Sequence, residues 1–371
     1  MTLVVDCFKL VRGAGKSIGI YNLALNLVRN LVEEKERTKD SEIKQCKIVV
    51  LGNAYNEQEF NIPGVEFVCI EHDPLNKLRC IWWELFEVSM VARKYHADKM
   101  IHPRGYAPIL KMTKEYIVVH DMIPFYYDEH YKGYFNRLEN FYIMWRLKAS
   151  IRSCDRVITI SEASCKDILN RVKVPKSKIS VIYNGYNKIT ELPECVDKSD
   201  YIIAVTSKLP HKNAKGIIEA YEVYFKQCEH PLQLRIIGIG DVEQYSLEPQ
   251  VKANIKCYQY IESNEEMHRM IAEAKIFLFL SLIEGFGFPP VEAMQLGTPV
   301  VCSKMSSLPE VVGDAAILVD PDQMQEVARA LIELQEDPKL QRELIEKGYR
   351  NADRFSWNLM AARYAELIMK D

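Results

Sequence analysis

The 371-residue chain lacks several features that would place it in a specialised class of protein. No apolar run approaches the roughly 20 residues that a membrane-spanning helix needs, so we expect any membrane contact to be peripheral. The ten cysteines include no C-x-x-C pair and form no cluster with histidine at zinc-ligand spacing. Scattered thiols, in a chain whose first residues enter a strand directly, predict a reducing cytoplasm and no signal peptide.

The chain also has little net charge, only −3, although the charge is unevenly distributed. Residues 1–188 hold 29 Lys and Arg against 22 Asp and Glu, whereas residues 189–371 hold 19 against 29. A basic first half would suit an acidic surface or substrate, and chance surface composition would produce the same imbalance. A slightly acidic total without a recognisable binding motif argues against nucleic acid as a partner.

The length fits two domains better than one. Short apolar runs typical of buried strands alternate with stretches whose apolar residues have helical spacing, in both halves of the chain. This alternation predicts α/β structure, with parallel sheets covered by helices on both faces. The polar, proline-containing sequence from Asn187 to Ser199 predicts the linker between the two domains. The predicted strands are 3–5, 47–51, 65–70, 116–120, 154–160, 178–182, 201–205, 232–237, 254–260 and 276–280.

The most informative segment is Glu284-Gly-Phe-Gly-Phe-Pro-Pro-Val-Glu292, which joins the predicted strand 276–280 to a predicted helix at 291–296. A glycine-rich turn before a helix gathers free backbone N–H groups at the positive end of the helix dipole, which favours an anion. The two carboxylates can instead hold neutral hydroxyls. The combination predicts a ligand that is part phosphate and part sugar.

Three other candidate positions follow predicted strands, where parallel sheets bind their ligands. Gly15 lies in a Gly-Lys-Ser loop, but Leu10 stands where a Walker A motif needs glycine, which excludes a P-loop. That loop either approaches a phosphate or is a plain turn. His120 ends the strand 116–120, and a His-Asp pair at such a place is either catalytic or structural. Lys208 and Lys212 would either neutralise a diphosphate or remain solvated.

Residues 131–152 form the most unusual helix candidate, because six aromatic residues alternate there with five Lys and Arg. Basic and aromatic side chains together are what an interfacial helix needs to contact anionic lipid headgroups. An amphipathic helix with its aromatic residues in the core and its basic residues in water would have the same composition. Both interpretations stay open at this point.

The full length of the chain resembles the retaining glycosyltransferases of family 4. The match is carried by Glu284 to Pro299, Leu308-Pro-Glu-Val-Val, Lys208 with Lys212, and Val119-His120-Asp121-Met-Ile-Pro124. The last run resembles bacterial mannosyl- and rhamnosyltransferases of surface polysaccharide synthesis. The resemblance implies the GT-B fold, in which two Rossmann-like domains face each other across a cleft. Its implied parts are an acceptor-binding domain at 1–186, a nucleotide-sugar-binding domain at 187–354, and a helix at 355–371 that crosses back to the first domain.

The resemblance implies a role for each matching side chain. Glu292 would bind the ribose hydroxyls of the nucleotide, and Glu284 would bind hydroxyls of the donor sugar. Lys208 and Lys212 would hold the diphosphate, although arginine is commoner at position 208 and lysine lacks its bidentate fork. His120 would face the donor sugar near its anomeric carbon. The implied catalytic residues are therefore His120, Glu284 and Lys212.

Backbone groups complete the implied donor site. The N–H groups of Gly285, Phe286 and Gly287 would hold the sugar and phosphate, and Gly15 would approach the phosphates. Family members work without a bound metal, so we expect neither a metal nor another cofactor. The nucleotide base would lie against the backbone near Tyr258, Tyr260 and Ile261.

The implied reaction moves a hexose, with retention of configuration, from a nucleotide-diphosphate sugar to a saccharide or lipid-linked saccharide. GDP-mannose is favoured as the donor, dTDP-rhamnose comes next and UDP-sugars third. Two alternatives are a nucleotide-sugar 2-epimerase of GT-B fold and a non-catalytic GT-B partner subunit. The expected location is the cytoplasm, at the inner face of the cell membrane, with residues 131–152 as the peripheral contact.

Overall fold

Residues 1–13, 18–38, 41–189 and 197–370 are described by the computed structural model. The chain divides into two units, Met1–Tyr186 with Phe355–Asp371, and Asn187–Arg354. Each unit is built on a sheet of parallel strands with helices in the connections. The α/β class and the two Rossmann-like sheets expected from the resemblance are confirmed.

The first unit contains a seven-stranded sheet in the order β3-β2-β1-β4-β5-β6-β7, and all its neighbouring strands are parallel. Its central strands are buried on both faces, which is why they read as continuous apolar runs. The strands are β1 Thr2–Asp6, β2 Lys47–Gly52, β3 Val65–Cys69, β4 Lys99–His102, β5 Lys114–Val119, β6 Arg156–Thr159 and β7 Ile179–Val181.

The helices of the first unit largely follow the predicted apolar periodicity. A π-helical turn, Trp83–Glu87, joins two of them into one continuous segment. Ser161 caps the helix after β6, because its Oγ accepts the Ser164 N–H at 3.0 Å. The helices are α1 Ile18–Arg37, α2 Ser41–Lys44, α3 Glu57–Phe60, α4 Lys77–Trp82, α5 Val88–Lys94, α6 Ile123–His130, α7 Arg137–Ser153 and α8 Glu162–Arg171.

The helix predicted from Tyr131 is wrong in its first six residues. The observed helix α7 begins at Arg137, because the Asn136 side chain caps it by accepting the Leu138 and Glu139 N–H groups at 3.0 and 3.2 Å. Gly133, with φ +86°, lies in the turn before the cap.

The second unit has the six-stranded order β10-β9-β8-β11-β12-β13, which is the Rossmann order. Its central strand β11 alternates Ile276 and Leu278 towards one core with Phe277 and Phe279 on the other face, and all four are buried. The strands are β8 Ser199–Val205, β9 Gln233–Ile237, β10 Ile255–Tyr258, β11 Ala274–Phe279, β12 Val300–Ser303 and β13 Ala316–Val319. The helices are α9 Ala214–Gln227, α10 Pro249–Ala253, α11 Asn264–Glu273, α12 Phe288–Gln295, α13 Leu308–Val312, α14 Met324–Glu336 and α15 Pro338–Ala352.

The last helix, α16 Trp357–Lys370, belongs to the first unit and packs on α1. The Lys99 ammonium group donates to the Ile368 carbonyl and ties this helix to β4. Gly185 allows the chain to approach the start of α16, since a Cβ there would lie 2.2 Å from the Trp357 nitrogen. Among the described residues, no helix has the length and apolarity needed to cross a membrane.

Candidate functional site

Two of the predicted site residues meet at the centre of the second unit's sheet. The strand order reverses between β8 and β11, and ligands of such sheets bind beyond the carboxyl ends of the strands at that point. The loop after β8 carries Lys212, and the loop after β11 carries Glu284. The Lys212 Nζ lies 2.6 Å from the Glu284 Oε1, and both side chains are largely buried. The structure therefore brings these two residues together and pairs their charges.

The loop after β8 is held rigidly by Asn213, which adopts the left-handed conformation with φ +54°. Its side chain accepts the Gly216 N–H at 3.1 Å and so caps α9, and it donates to the Leu280 carbonyl at 3.1 Å. The Thr206 hydroxyl donates to the Lys212 carbonyl at 2.8 Å. Asn213 therefore joins the two loops that carry the Lys212–Glu284 pair.

His211 strengthens the same junction through its backbone. Its carbonyl accepts the Leu282 N–H at 2.8 Å and the Ser281 hydroxyl at 3.0 Å. Burial, with the neighbouring Lys212 charge, lowers the pKa of the His211 imidazole to about 4. The ring is therefore neutral near physiological pH and adds no positive charge beside Lys212.

Two serines hold the glycine-rich turn at the start of α12, and the sequence reasoning missed both. The Ser307 hydroxyl lies 2.7 Å from the Phe286 carbonyl and 3.0 Å from the Glu284 carbonyl. The Ser306 hydroxyl donates to the Glu284 carbonyl at 2.9 Å. Because the serines take up these carbonyls, the turn keeps a fixed shape at the helix N-terminus. Their place just before the Leu308-Pro-Glu-Val-Val run was the available clue.

Gly287 ends this turn with φ +109°, a backbone conformation that favours glycine. A Cβ at this position would lie 2.6 Å from the Leu308 Cδ2, so both conformation and space select glycine. Gly285 and Phe286 are buried in the same turn. Helix α12 then places Glu292, which is half-buried, one turn beyond its start. The predicted order of strand, turn and helix is confirmed, although the helix starts earlier, at Phe288.

The other predicted positions of the donor site lie at the same edge of the sheet. Lys208 is exposed in the loop after β8. Tyr258 ends β10, where its carbonyl accepts the Gly238 N–H at 2.8 Å, and the Tyr260 side chain after it is exposed. Ile261 is half-buried. Gly238, with φ +109°, comes so close to the β8 loop that a Cβ would lie 1.9 Å from the Thr206 oxygen.

In the first unit, His120 follows β5 and is held in one tautomer. Its Nε2 lies 2.8 Å from the Pro103 carbonyl, which can only accept, so Nε2 carries the proton. Burial, reinforced by the charge of Arg104 and opposed by the Pro103 bond, lowers the pKa of His120 to about 4. The ring is thus neutral, and its Nδ1 is an acceptor suited to a hydroxyl group.

A buried charged cluster at the end of β4 is the largest feature of this unit that the sequence reasoning missed. The His102 Nε2 lies 2.6 Å from the Glu115 Oε2, and its Nδ1 lies 3.6 Å from the Asp6 Oδ2. The Trp83 Nε1 donates to the Asp6 Oδ1 at 3.1 Å. Burial lowers the pKa of His102, but its bonds to the two carboxylates outweigh burial and raise it to about 9. The cluster adjoins the His120 site, since Pro103 follows directly in the chain.

The remaining expected position, Gly15, lies outside the described residues. In the part of the chain that the structure describes, no group of three or more His, Cys, Asp or Glu is placed to hold a metal ion. Asp320-Pro-Asp322 has the spacing of a metal-binding Asp-x-Asp pair. However, the Asp320 carboxylate lies 3.2 Å from the Lys304 ammonium group and accepts the Asp322 N–H at 3.1 Å.

Two family descriptions match adjoining parts of the chain: Glycosyltransferase Family 4 over residues 42–188, and Glycosyl transferases group 1 over residues 189–351. The O-antigen chain mannosyltransferase RfbU of Salmonella typhimurium is 27% identical over 271 residues, which cover 71% of this chain and 73% of that protein. The O-antigen chain mannosyltransferase B of Escherichia coli is 26% identical over 294 residues, which cover 70% of this chain and 76% of that protein.

Solved structures share the fold over the whole chain. Sucrose-phosphate synthase from Thermosynechococcus elongatus has a TM-score of 0.69 and 17% identity, over 100% of this chain and 98% of that one. HepE of Anabaena, solved in complex with UDP and glucose, has a TM-score of 0.65 and 18% identity, over 100% of both chains. The chain belongs to the family 4 glycosyltransferases, the group 1 glycosyl transferases of GT-B fold.

Proposed function

We propose that this glycosyltransferase moves mannose from GDP-mannose, with retention of configuration, to a saccharide or lipid-linked saccharide in surface polysaccharide synthesis. The carrying observation is the Lys212–Glu284 pair beside the serine-held turn of α12. Mannose is favoured because two relatives are named O-antigen mannosyltransferases. Rhamnose from dTDP-rhamnose is the second candidate. In this proposal the first unit binds the acceptor, and the second unit binds the donor.

The chemistry of the site supports this assignment. Cleavage of a sugar–phosphate bond leaves extra negative charge on a nucleoside diphosphate, and preorganised cations and N–H dipoles stabilise it. Lys208, Lys212 and the N-terminal turn of α12 supply these groups without a metal. Glu292 then holds the ribose. Glu284 holds sugar hydroxyls and is not proposed as a nucleophile, because the acceptor attacks from the face that the phosphate leaves.

The Lys212–Glu284 pair has a consequence for donor binding. In the free protein each charge satisfies the other at 2.6 Å. Removing one partner of such a buried pair leaves an uncompensated charge, which is costly. A donor that offers both a phosphate and hydroxyls replaces both partners together. A ligand with only one of these groups leaves a charge unmatched, so the pair favours a complete nucleotide sugar.

Contact with a membrane is supported by the surface of α7. Leu138, Phe141 and Trp145 are 82%, 66% and 50% exposed, whereas Arg146 on the opposite face is only 2% exposed. Two of the three aromatic residues of this helix, Phe141 and Trp145, therefore point outwards, which is the reverse of an ordinary amphipathic helix. Such an exposed apolar stripe on a basic helix is typical of an interfacial surface. Residues of α4, Leu78 and Trp82, are exposed as well.

A donor screen followed by one variant tests the proposal. The full chain is incubated with GDP-mannose, dTDP-rhamnose or a UDP-sugar and a saccharide acceptor, and the linkage configuration is read by NMR. Glu292→Ala should abolish transfer while the unfolding midpoint stays within a few degrees. Glu262→Ala, an exposed carboxylate of the same unit, is the matched control. Full transfer by Glu292→Ala would refute the site, and epimerised donor without acceptor would identify an epimerase instead.

A further inference from the structure

Two arginines of the first unit, the buried Arg146 and the half-buried Arg104, have no carboxylate partner among the described residues. Arg146, in the middle of α7, is 2% exposed; its Nη2 donates to the Ala107 carbonyl at 2.9 Å, and its Nε is buried without a partner. Arg104, two residues after β4, has a long 3.5 Å contact from Nη1 to the Lys9 carbonyl, and its Nε is also buried without a partner. Within the described ranges, neither arginine lies at salt-bridge distance from a carboxylate. A guanidinium charge that is buried without an anionic partner costs free energy. A bound oxyanion would supply that partner.

The two guanidinium groups share one polar environment around Tyr106. The Arg146 guanidinium carbon lies 6.0 Å from the centre of the Tyr106 ring. The charges of Glu84, Arg104 and Arg146 all act on the Tyr106 hydroxyl. The carboxylate among them does not compete for the arginines, because the Glu84 Oε1 is held by the Lys9 Nζ at 2.6 Å. The two arginine charges near Tyr106 are therefore without a carboxylate of their own among the described residues.

Tyr142 adds a third donor to the same place. It lies one helical turn before Arg146 on α7, and its buried hydroxyl lies beside the Arg146 guanidinium, which can donate to the phenol oxygen and leaves the O–H itself as a donor. The charges of Glu84 and Arg146 act on this hydroxyl too, which places it with the Tyr106 group. Arginine forks and a phenol O–H are donors that suit the several acceptor oxygens of a phosphate.

We propose that Arg104, Arg146 and Tyr142 form a binding site for a phosphate-class oxyanion, which here is the phosphate of a lipid-linked acceptor. The identity of this ligand rests on the proposed function. The Tyr142 ring lies 6.3 Å from the Trp145 ring on the exposed stripe of α7, so a bound phosphate would place its lipid chain against apolar side chains. On the other side, Arg104 directly follows Pro103, whose carbonyl accepts the His120 Nε2–H at 2.8 Å, so the far side of the phosphate would lie towards that histidine.

The test measures phosphate-dependent stabilisation of the full chain, since a ligand that binds only the folded state raises the unfolding temperature. Tryptophan fluorescence reports the first unit, because all four tryptophans belong to it. Inorganic phosphate and farnesyl phosphate are the two probes, and the protein is also titrated with GDP-mannose. We expect farnesyl phosphate to stabilise the wild type, and Arg104→Gln and Tyr142→Phe to bind it about tenfold or more weakly. Arg152→Gln, an exposed arginine on the same helix, should bind it like the wild type. The tryptophans are Trp82, Trp83, Trp145 and Trp357.

The outcomes separate this site from the proposed function. No stabilisation of the wild type by either probe, or equal stabilisation of wild type and Arg104→Gln, would overturn the site. Equal binding of inorganic and farnesyl phosphate keeps the oxyanion site but overturns the lipid source. Competition between GDP-mannose and phosphate would assign the arginines to the donor and overturn the acceptor role. If the protein transfers no sugar while Arg104→Gln still loses phosphate binding, the proposed function fails and the oxyanion site stands.

Discussion

Raising the pH above neutrality should weaken the fold through one buried histidine, His102. This imidazole lies between Glu115 of β5 and Asp6 of β1, at 2.6 and 3.6 Å, so its positive charge links three neighbouring strands. Burial lowers its pKa, but the two carboxylates prevail and raise it to about 9 from the ordinary value of 6.5. His102 therefore stays protonated in the folded protein over a range in which the unfolded chain releases the proton.

The magnitude follows from the difference between the two pKa values. About 2.5 pKa units, at about 1.36 kcal/mol each, correspond to about 3 kcal/mol. Solvent screening takes little from this figure, because the side chain is only 3% exposed. Since the folded-state pKa is the higher one, the contribution is complete below pH 6.5 and is lost as the pH rises through 9. A loss of this size is a large part of the stability of an ordinary domain.

The assay is urea denaturation at a series of pH values, followed by tryptophan fluorescence, which reports the first unit. The free energy of unfolding is measured for the wild type and for His102→Gln, and the difference between them isolates this residue from other groups that titrate. That difference should shrink by about 3 kcal/mol between about pH 6 and about pH 10. His130→Gln, an exposed histidine of the same unit, is the control and should show no such trend. A His102→Gln difference that stays constant within about 1 kcal/mol across the range would refute the reasoning.

Three further predictions concern acid stability and the donor turn. His120 and His211 are held neutral with pKa values of about 4, below the unfolded value, so the free energy of unfolding should fall as the pH drops from 6.5 towards 4; an acid series with unchanged stability would contradict this. Ser307→Ala leaves the Phe286 carbonyl without that donor and should cost about 1–3 kcal/mol in urea denaturation and raise the KM for the donor; an unchanged KM would argue against its positioning role. Gly287→Ala should cost about 1–3 kcal/mol from backbone strain and contact, whereas Gly133→Ala, which also has positive φ but open space around it, should cost about 1 kcal/mol; equal melting temperatures of the two variants would contradict this.

The sequence predicted well those elements whose buried residues are apolar and lie close together in the chain. Strand β11 is an example, because its run of apolar and aromatic residues can be read within a few positions. Strand β4 was missed. It has only four residues, and two of them, Lys99 and His102, are polar yet buried. Their burial depends on partners far away in the chain, the Ile368 carbonyl and the Glu115 carboxylate, which no local pattern reveals.

The same distinction explains the candidate site. Lys212 and Glu284 are 72 residues apart, and their meeting was expected because each follows a central strand of one parallel sheet. The serines that hold the turn and the carboxylates around His102 act through tertiary contacts, so their residue types alone carry little information. Residues 131–152 show a different limit of prediction from sequence, namely which side of a helix faces the solvent. Their composition allowed the aromatic residues to face either way, and the structure turns Trp145 outwards and Arg146 inwards.

The two histidines beside Pro103 show why the surroundings of a site matter as much as its residues. His120 is half-buried and His102 is fully buried, yet the first is neutral and the second is charged, because of the two only His102 has carboxylate partners. A sugar that loses its phosphate gains positive charge, so an imidazolium at His120 would oppose the proposed reaction, whereas a neutral ring can accept a hydroxyl proton. The charge of His102 is matched by Asp6 and Glu115 at short range and therefore acts on the strands rather than on a ligand. Arg104 and Arg146, which have no carboxylate at salt-bridge distance within the described ranges, are the positive charges that we assign to a ligand.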